Sequence, residues 1–265
     1  MIKFVVLNQR GGVGKTTTSL NLSRHLADAG KRTLLVDADP QGSIDTILRL
    51  KPEHHLYEFI IDRFALEDCV VSPCKGLDVL CGNRNTANAE TKLMGEFARE
   101  RILSDLFELY RNRYDAVVID VAPSVSLMQS CAMVYTQNVL IPVDTDYVSL
   151  SGAAACIQFI DTLSKAVRTP IKAIGLLPTK VDKRLGMTKM IRELLEELSR
   201  RFDVPILQEI RTDTAVAKAA RQKQFLADFD PKCKAFEDYT KAAEQLLALF
   251  EGKLRTDVEA VEQAS

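Results

Sequence analysis

"IKFVVLNQRGGVGKTTTSLNL", residues 2–22, runs from an apolar, β-branched stretch through a cluster of glycines into a segment with helical spacing. A conventional phosphate loop reads G-x-x-x-x-G-K-[ST], which would require glycine at Gln9. Here Arg10 stands ahead of Gly11, Gly12 and Gly14, which lead into Lys15 and Thr16. In a strand–loop–helix context, backbone N–H groups curl around phosphate oxygens and the helix N-terminus adds its positive end. The bland reading is a tight strand–helix turn closed by glycines. Agreement of the remaining spacings favours phosphate, with a cradle over Gly11, Gly12, Val13, Gly14, Lys15, Thr16 and Thr17. Lys15 then reaches the β- and γ-phosphates, and the Thr16 hydroxyl serves Mg²⁺.

Outward from that stretch, apolar runs recur at 32–39, 76–82, 114–122, 137–144, 171–179 and 204–210. Near-continuous apolar strands suit a parallel sheet covered on both faces. Between them apolar residues return at helical spacing, as in Met187, Met190, Ile191, Leu194, Leu195, Leu198 and Phe202. Residues 236–250 read as a closing helix. The alternation predicts a three-layer α/β fold, a mostly parallel sheet with helices on both faces. Residues 1–251 are expected to form one domain, and 252–265 a polar, flexible tail.

The chain has 265 residues, 46% apolar and 27% charged, with a net charge of −1. That balance gives no global pull toward nucleic acid or anionic lipid, so such binding needs a local patch. Six scattered cysteines without a C-x-x-C pair argue against zinc, iron–sulfur or disulfide frameworks, and for a reducing cytosol. The N-terminus lacks a signal-peptide layout, and no apolar run nears the roughly 20 residues that span a bilayer.

Two further strand ends carry acids: "LLVDADPQGS" presents Asp37 and Asp39, and "AVVIDVAPS" presents Asp120. Open α/β sheets bind ligands at carboxyl strand ends. A lone Asp there is a cap or turn former; three around one phosphate loop suit magnesium and an attacking water.

The combination R-G-G-V-G-K-T-T-T, V-D-A-D-P-Q-G-S and V-V-I-D-x-x-P-S resembles the ParA/Soj partition ATPases, a deviant-Walker group that includes MinD. The resemblance covers residues 1–250 in motif order. It implies a P-loop NTPase-like fold, ATP and Mg²⁺ as cofactors, and slow, partner-stimulated ATP hydrolysis. It also implies an ATP-sandwich homodimer, non-specific DNA binding, a ParB-like or cargo-adaptor partner, and a cytoplasmic, nucleoid-associated place. By position, Lys15 matches the phosphate lysine, Thr16 the metal ligand, Asp39 the acid that positions water, and Asp120 the Walker B acid. Asp37 either joins the metal site or orders the following loop. Arg10 takes the position of the group's signature lysine. Three readings follow: a finger reaching the other subunit's phosphates, a support for dimerisation, or the mark of a weakened ATPase. Base recognition falls on 210–220, where Arg211 and Asp213 replace the family's usual Pro and Asn. "PTKVD" (178–182) has a weaker likeness to the guanine-reading N-K-x-D.

Residues 180–223 hold eleven Lys/Arg against seven Asp/Glu, a local charge of +4. Clustered cations bind phosphate backbone without reading sequence. The alternative is a solvated helix face with i,i+4 pairs such as Arg192–Glu196 and Glu197–Arg201. The resemblance favours DNA, with Lys183, Arg184, Lys218, Arg221 and Lys223 as candidates. The chain ends in acidic "DVEAVEQAS", unlike the basic amphipathic helix of MinD-like proteins, so no membrane partner is expected. A synthetase of the dethiobiotin or cobyrinate type, and an ATP-gated protein switch without DNA, are the alternatives.

Overall fold

The computed structural model describes residues 1–182, 184 and 186–252. Seven strands form one sheet: β1 (Ile2–Val6), β2 (Thr33–Asp37), β3 (Val70–Cys74), β4 (Leu77–Leu80), β5 (Ala116–Asp120), β6 (Asn138–Asp144) and β7 (Lys172–Thr179). Their spatial order is β3-β4-β2-β5-β1-β6-β7, parallel throughout except for β3 against β4. The helices are α1 (Lys15–Asp28), α2 (Ser43–Leu48), α3 (Leu56–Ile60), α4 (Leu66–Cys69), α5 (Asn85–Leu93) and α6 (Ile102–Glu108). They continue as α7 (Leu127–Thr136), α8 (Tyr147–Val167), α9 (Gly186–Phe202), α10 (Thr214–Gln222), α11 (Leu226–Phe229) and α12 (Lys234–Phe250).

Successive strand residues feed opposite layers, as the pleat requires. Val5, Leu7, Leu34, Val36, Val117 and Ile119 pack toward α3 and α5–α9, while Phe4, Val6, Leu35 and Val118 pack toward α1, α10 and α12. Every residue of β2 and β5 is buried. Each such aliphatic side chain contributes about 2 kcal/mol, which is why these central strands read as unbroken apolar runs.

This order places the site. The chain leaves β1 toward β2 on one side of the sheet, and leaves β5 toward β6 on the other. Neighbouring strands whose connections run in opposite directions mark a switch point, with a crevice at their carboxyl ends. The glycine loop and Asp120 both sit at that crevice.

One expectation needs correction. Residues 204–210 form no strand; the segment makes one isolated bridge, Ile206 with Leu176, and a second follows just beyond it, Arg211 with Val181. Pro205 has no N–H to give, and its carbonyl only accepts from Leu176 N. Conversely β3, an antiparallel edge strand of half-buried residues carrying Pro73, has no apolar run to announce it. The expected helices are present as α9 and α12. Residues 253–265 of the expected tail lie outside the described residues.

Candidate nucleotide-binding site

α1 begins where Gly14 adopts the left-handed region at φ 88°, and no side chain caps its first turn. A left-handed residue here favours glycine. A Cβ added at Gly12 or Gly14 would meet nothing within 4 Å, so the loop has open space beside both glycines. Buried Asn8 pins the loop's entry: its amide donates to the Pro142 carbonyl at 2.8 Å, and its Oδ1 accepts the Arg10 N–H at 2.8 Å. Gly152 permits this, since a Cβ there would stand 2.6 Å from Asn8 Oδ1. The far end of α1 closes with Lys31 N–H donating to the Leu26 carbonyl and Gly30 N–H to that of Ala27, a glycine-stopped helix end.

Lys15 is buried, and its ammonium donates to the Arg10 carbonyl at 3.0 Å, curling over the loop. Burial lowers its pKa, opposed by the charges of Asp120 and Asp39. Thr16 Oγ1 donates to Asp120 Oδ2 at 2.6 Å, and Ser19 Oγ donates to Asp120 Oδ1 at 3.0 Å. Ser19 lies three residues after Thr16 on the same helix face, the signal that could have revealed it.

Asp37 and Asp120 face each other in register across β2 and β5, both fully buried. Asp37 accepts the N–H groups of Asp39 and Ile44, each at 3.1 Å, and so orders the loop that carries Asp39. Burial, then the Asp120 charge, holds its carboxyl well above the ordinary range. Burial pushes Asp120 up to about 6, against the pull of the Thr16 and Ser19 hydroxyls. Asp39 is half-exposed; its Oδ1 accepts the Gln41 N–H at 2.8 Å.

The donor set fits magnesium bound with a nucleotide. A hydroxyl and carboxylates are hard oxygen ligands, and buried acids that resist ionisation gain from a divalent charge. No cluster of three or more His, Cys, Asp or Glu among the described residues could hold a metal alone. Phosphate oxygens and water must complete the shell, as Mg²⁺ prefers.

Arg10 is exposed, and its guanidinium has no ion-pair partner among the described residues. Thr17 is half-buried in the first turn of α1. The expected base-recognition pair is engaged in structure. Arg211 binds buried Asp238 at 2.7 and 2.8 Å and Glu237 at 3.0 Å. Asp213 caps α10 through Ala215 N–H at 2.9 Å and accepts Lys234 N–H at 3.0 Å. Thr179 and Lys180, which the sequence offered only within the N-K-x-D-like "PTKVD", both touch the loop, at the Val13 and Gly12 carbonyls.

Of the candidate DNA cations, Lys218, Arg221 and Lys223 are exposed on or just after α10, with no ion-pair partner among the described residues. Arg184 is tied to Asp182 at 2.6 and 2.9 Å, and Lys183 lies outside the described residues. The expected i,i+4 pairs are replaced: Arg192 bonds Glu209, and Arg201 lies over the Phe202 ring at 5.2 Å. Tertiary approach brings Glu209 closer than the helix brings Glu196. No described helix is long and apolar enough to cross a membrane.

A family model described as an AAA domain matches residues 1–173. The sporulation initiation inhibitor protein Soj of Bacillus subtilis is 31% identical over 248 residues, covering 92% of this chain and 97% of Soj. The chromosome partitioning protein ParA of Myxococcus xanthus is 29% identical, covering 91% of this chain and 86% of ParA. Among solved structures, cobyrinic acid a,c-diamide synthase of Mycobacterium smegmatis, with bound ADP and magnesium, matches at a TM-score of 0.82 and 25% identity. That match covers 97% of this chain and 98% of the synthase. The loop, its paired carboxylates and the Soj match along nearly the whole chain have one meaning: the chain belongs to the ParA/Soj family of P-loop ATPases.

Proposed function

We propose that the protein is an ATP-dependent partition or positioning ATPase. ATP with Mg²⁺ closes a homodimer, the closed dimer holds DNA without reading its sequence, and a ParB-like or adaptor partner accelerates hydrolysis and release. It acts in the cytoplasm, on the nucleoid. The observation that carries the nucleotide half is the buried Asp120, held by Thr16 and Ser19 beneath an open glycine loop. The Soj and ParA relatives support the partition half.

In this reading Lys15 binds the β- and γ-phosphates, and Thr16 and Asp120 would hold a Mg²⁺ ion, whose charge would stabilise those oxygens. Asp39 orients a water toward the γ-phosphorus. The bond to the β–γ bridging oxygen breaks, giving ADP and phosphate. Arg10, exposed and unpaired among the described residues, reaches the phosphates of the other subunit. Its planar fork suits phosphate as well as the family's lysine does.

Sedimentation tests closure. Asp39→Ala chains, which retain ATP, should sediment as dimers with ATP and as monomers with ADP. Monomers under both conditions would refute it. Arg10→Ala chains should bind ATP yet stay monomeric. Mixing them with Lys15→Ala chains should restore part of the turnover, because one site then keeps an intact loop and receives Arg10 from its neighbour. Absence of recovery in mixtures shown to contain heterodimers would place Arg10 in cis.

The synthase match favours a second reading, a small-molecule synthetase. ATP turnover that required a carboxylic acceptor and ignored DNA would select it.

A further inference from the structure

The carbonyls of the glycine loop are held from behind by the end of β7. The Lys180 ammonium donates to the Gly12 carbonyl at 2.5 Å and to Asp144 Oδ2 at 2.8 Å. One residue earlier, the Thr179 hydroxyl donates to the Val13 carbonyl at 2.9 Å. Asp144 closes β6 and lies opposite Thr179 in the β6–β7 register, so the two strand ends converge on two consecutive loop peptides. Lys180 sits at φ 52°, a left-handed position uncommon for a side chain of its size. Glycine would adopt it at lower cost but would lack the ammonium.

A trans peptide unit is planar, with its C=O and N–H pointing opposite ways. Fixing the Gly12 carbonyl toward Lys180 therefore turns the Val13 N–H away from it, to the concave side. Fixing the Val13 carbonyl toward Thr179 does the same for the Gly14 N–H. Neither N–H has a hydrogen-bond partner among the described residues. Gly12 and Gly14, at φ 78° and 88°, leave these peptides free to flip unless something outside holds them.

We propose that Lys180 and Thr179 are positioning residues that hold the Val13 and Gly14 amides toward nucleotide phosphate, with Asp144 steadying the Lys180 ammonium. This rests on the nucleotide-site reading above. Neither side chain touches the nucleotide; each acts through a loop carbonyl. The free energy of ordering the amides is then met on folding rather than on binding, the usual gain from preorganisation.

The test uses the full chain and the variants Lys180→Met, Lys180→Arg and Thr179→Val. Without nucleotide, the Val13 amide resonance should move or broaden in Lys180→Met, and the Gly14 amide in Thr179→Val. ATP affinity should fall about tenfold in Lys180→Met and severalfold in Thr179→Val, the scale of losing a charged and a neutral hydrogen bond. Turnover at saturating ATP should stay, so the loss appears in KM. Lys180→Arg, which keeps a cation of similar reach, should recover most of the affinity. Unmoved amides, or a loss fully matched by a lower unfolding midpoint, would overturn the proposal. Titrating the wild-type chain separates the two readings. A wild-type chain that binds no nucleotide overturns the nucleotide site. Wild-type binding that the Lys180→Met chain equals overturns the positioning role alone.

Discussion

The crevice over β1 and β5 and the outer face of α10 are built on opposite principles. In the crevice the charges are buried and bonded: Lys15 to a carbonyl, Asp120 to two hydroxyls, Asp37 to two amides. On α10, Lys218 and Arg221 project into solvent without ionic partners among the described residues. A fixed set of dipoles recognises one triphosphate geometry. A loose row of cations recognises any phosphate backbone and yields to salt. Under the proposed function, specificity resides in the nucleotide, and DNA binding is generic and switched by it.

Removing the cation at the centre of the crevice should have the largest effect. Lys15→Ala should weaken ATP binding by about 100-fold or more, because the amides remain but the charge facing the β- and γ-phosphates goes. Isothermal titration would show it, and unchanged affinity would remove Lys15 from the site. Next comes Asp39→Ala, where turnover should drop by about 100-fold while ATP affinity is retained, the pattern expected when a water-positioning group is removed. Wild-type turnover in that variant would separate Asp39 from the mechanism.

The α10 face should respond more gently. Arg221→Glu or Lys223→Glu should lower DNA affinity by about tenfold at low salt and reduce the salt slope by about one for each phosphate no longer neutralised. Nucleotide binding should not change. If these reversals altered ATP affinity instead, the two regions would not be separable and the contrast between them would fail.

The smallest effect lies beneath both, where α1 meets α12. His25 Nδ1–H donates to the Asn21 carbonyl at 2.7 Å, Nε2 lies 2.8 Å from the Thr240 hydroxyl, and burial lowers its pKa. A folded-state pKa below the unfolded value, about 6.5, means that the unfolded chain takes up the proton first as pH falls. Stability from this site should therefore be complete above about pH 6.5 and decline progressively below it. His25→Gln should flatten that part of the unfolding-midpoint profile, and an unaltered profile would clear His25 of it.

Much of this was legible in the sequence, for physical reasons. Six of the seven strands sit in parallel positions and so appear as apolar runs, and the loop appears because its glycine spacing is fixed by backbone geometry. What was hidden depends on distant residues. Asn8 reaches Pro142, Thr179 reaches Val13, and Lys180 reaches Gly12; no local pattern encodes those pairings. β3 was hidden because an edge strand with a proline carries neither alternation nor a continuous run. Asp213, named for base recognition by position alone, also caps α10, a role that Asp before a helix serves for local backbone reasons.

Under the proposed function, nucleotide in the crevice governs the cationic face. The direct measurement is association of the wild-type chain with a random-sequence DNA duplex, followed with ATP, with ADP and without nucleotide between about 50 and 200 mM salt. Tight retention is expected with ATP alone, with indifference to duplex sequence and a steep fall as salt rises. Equal retention under all three nucleotide conditions, or none under any, would contradict it.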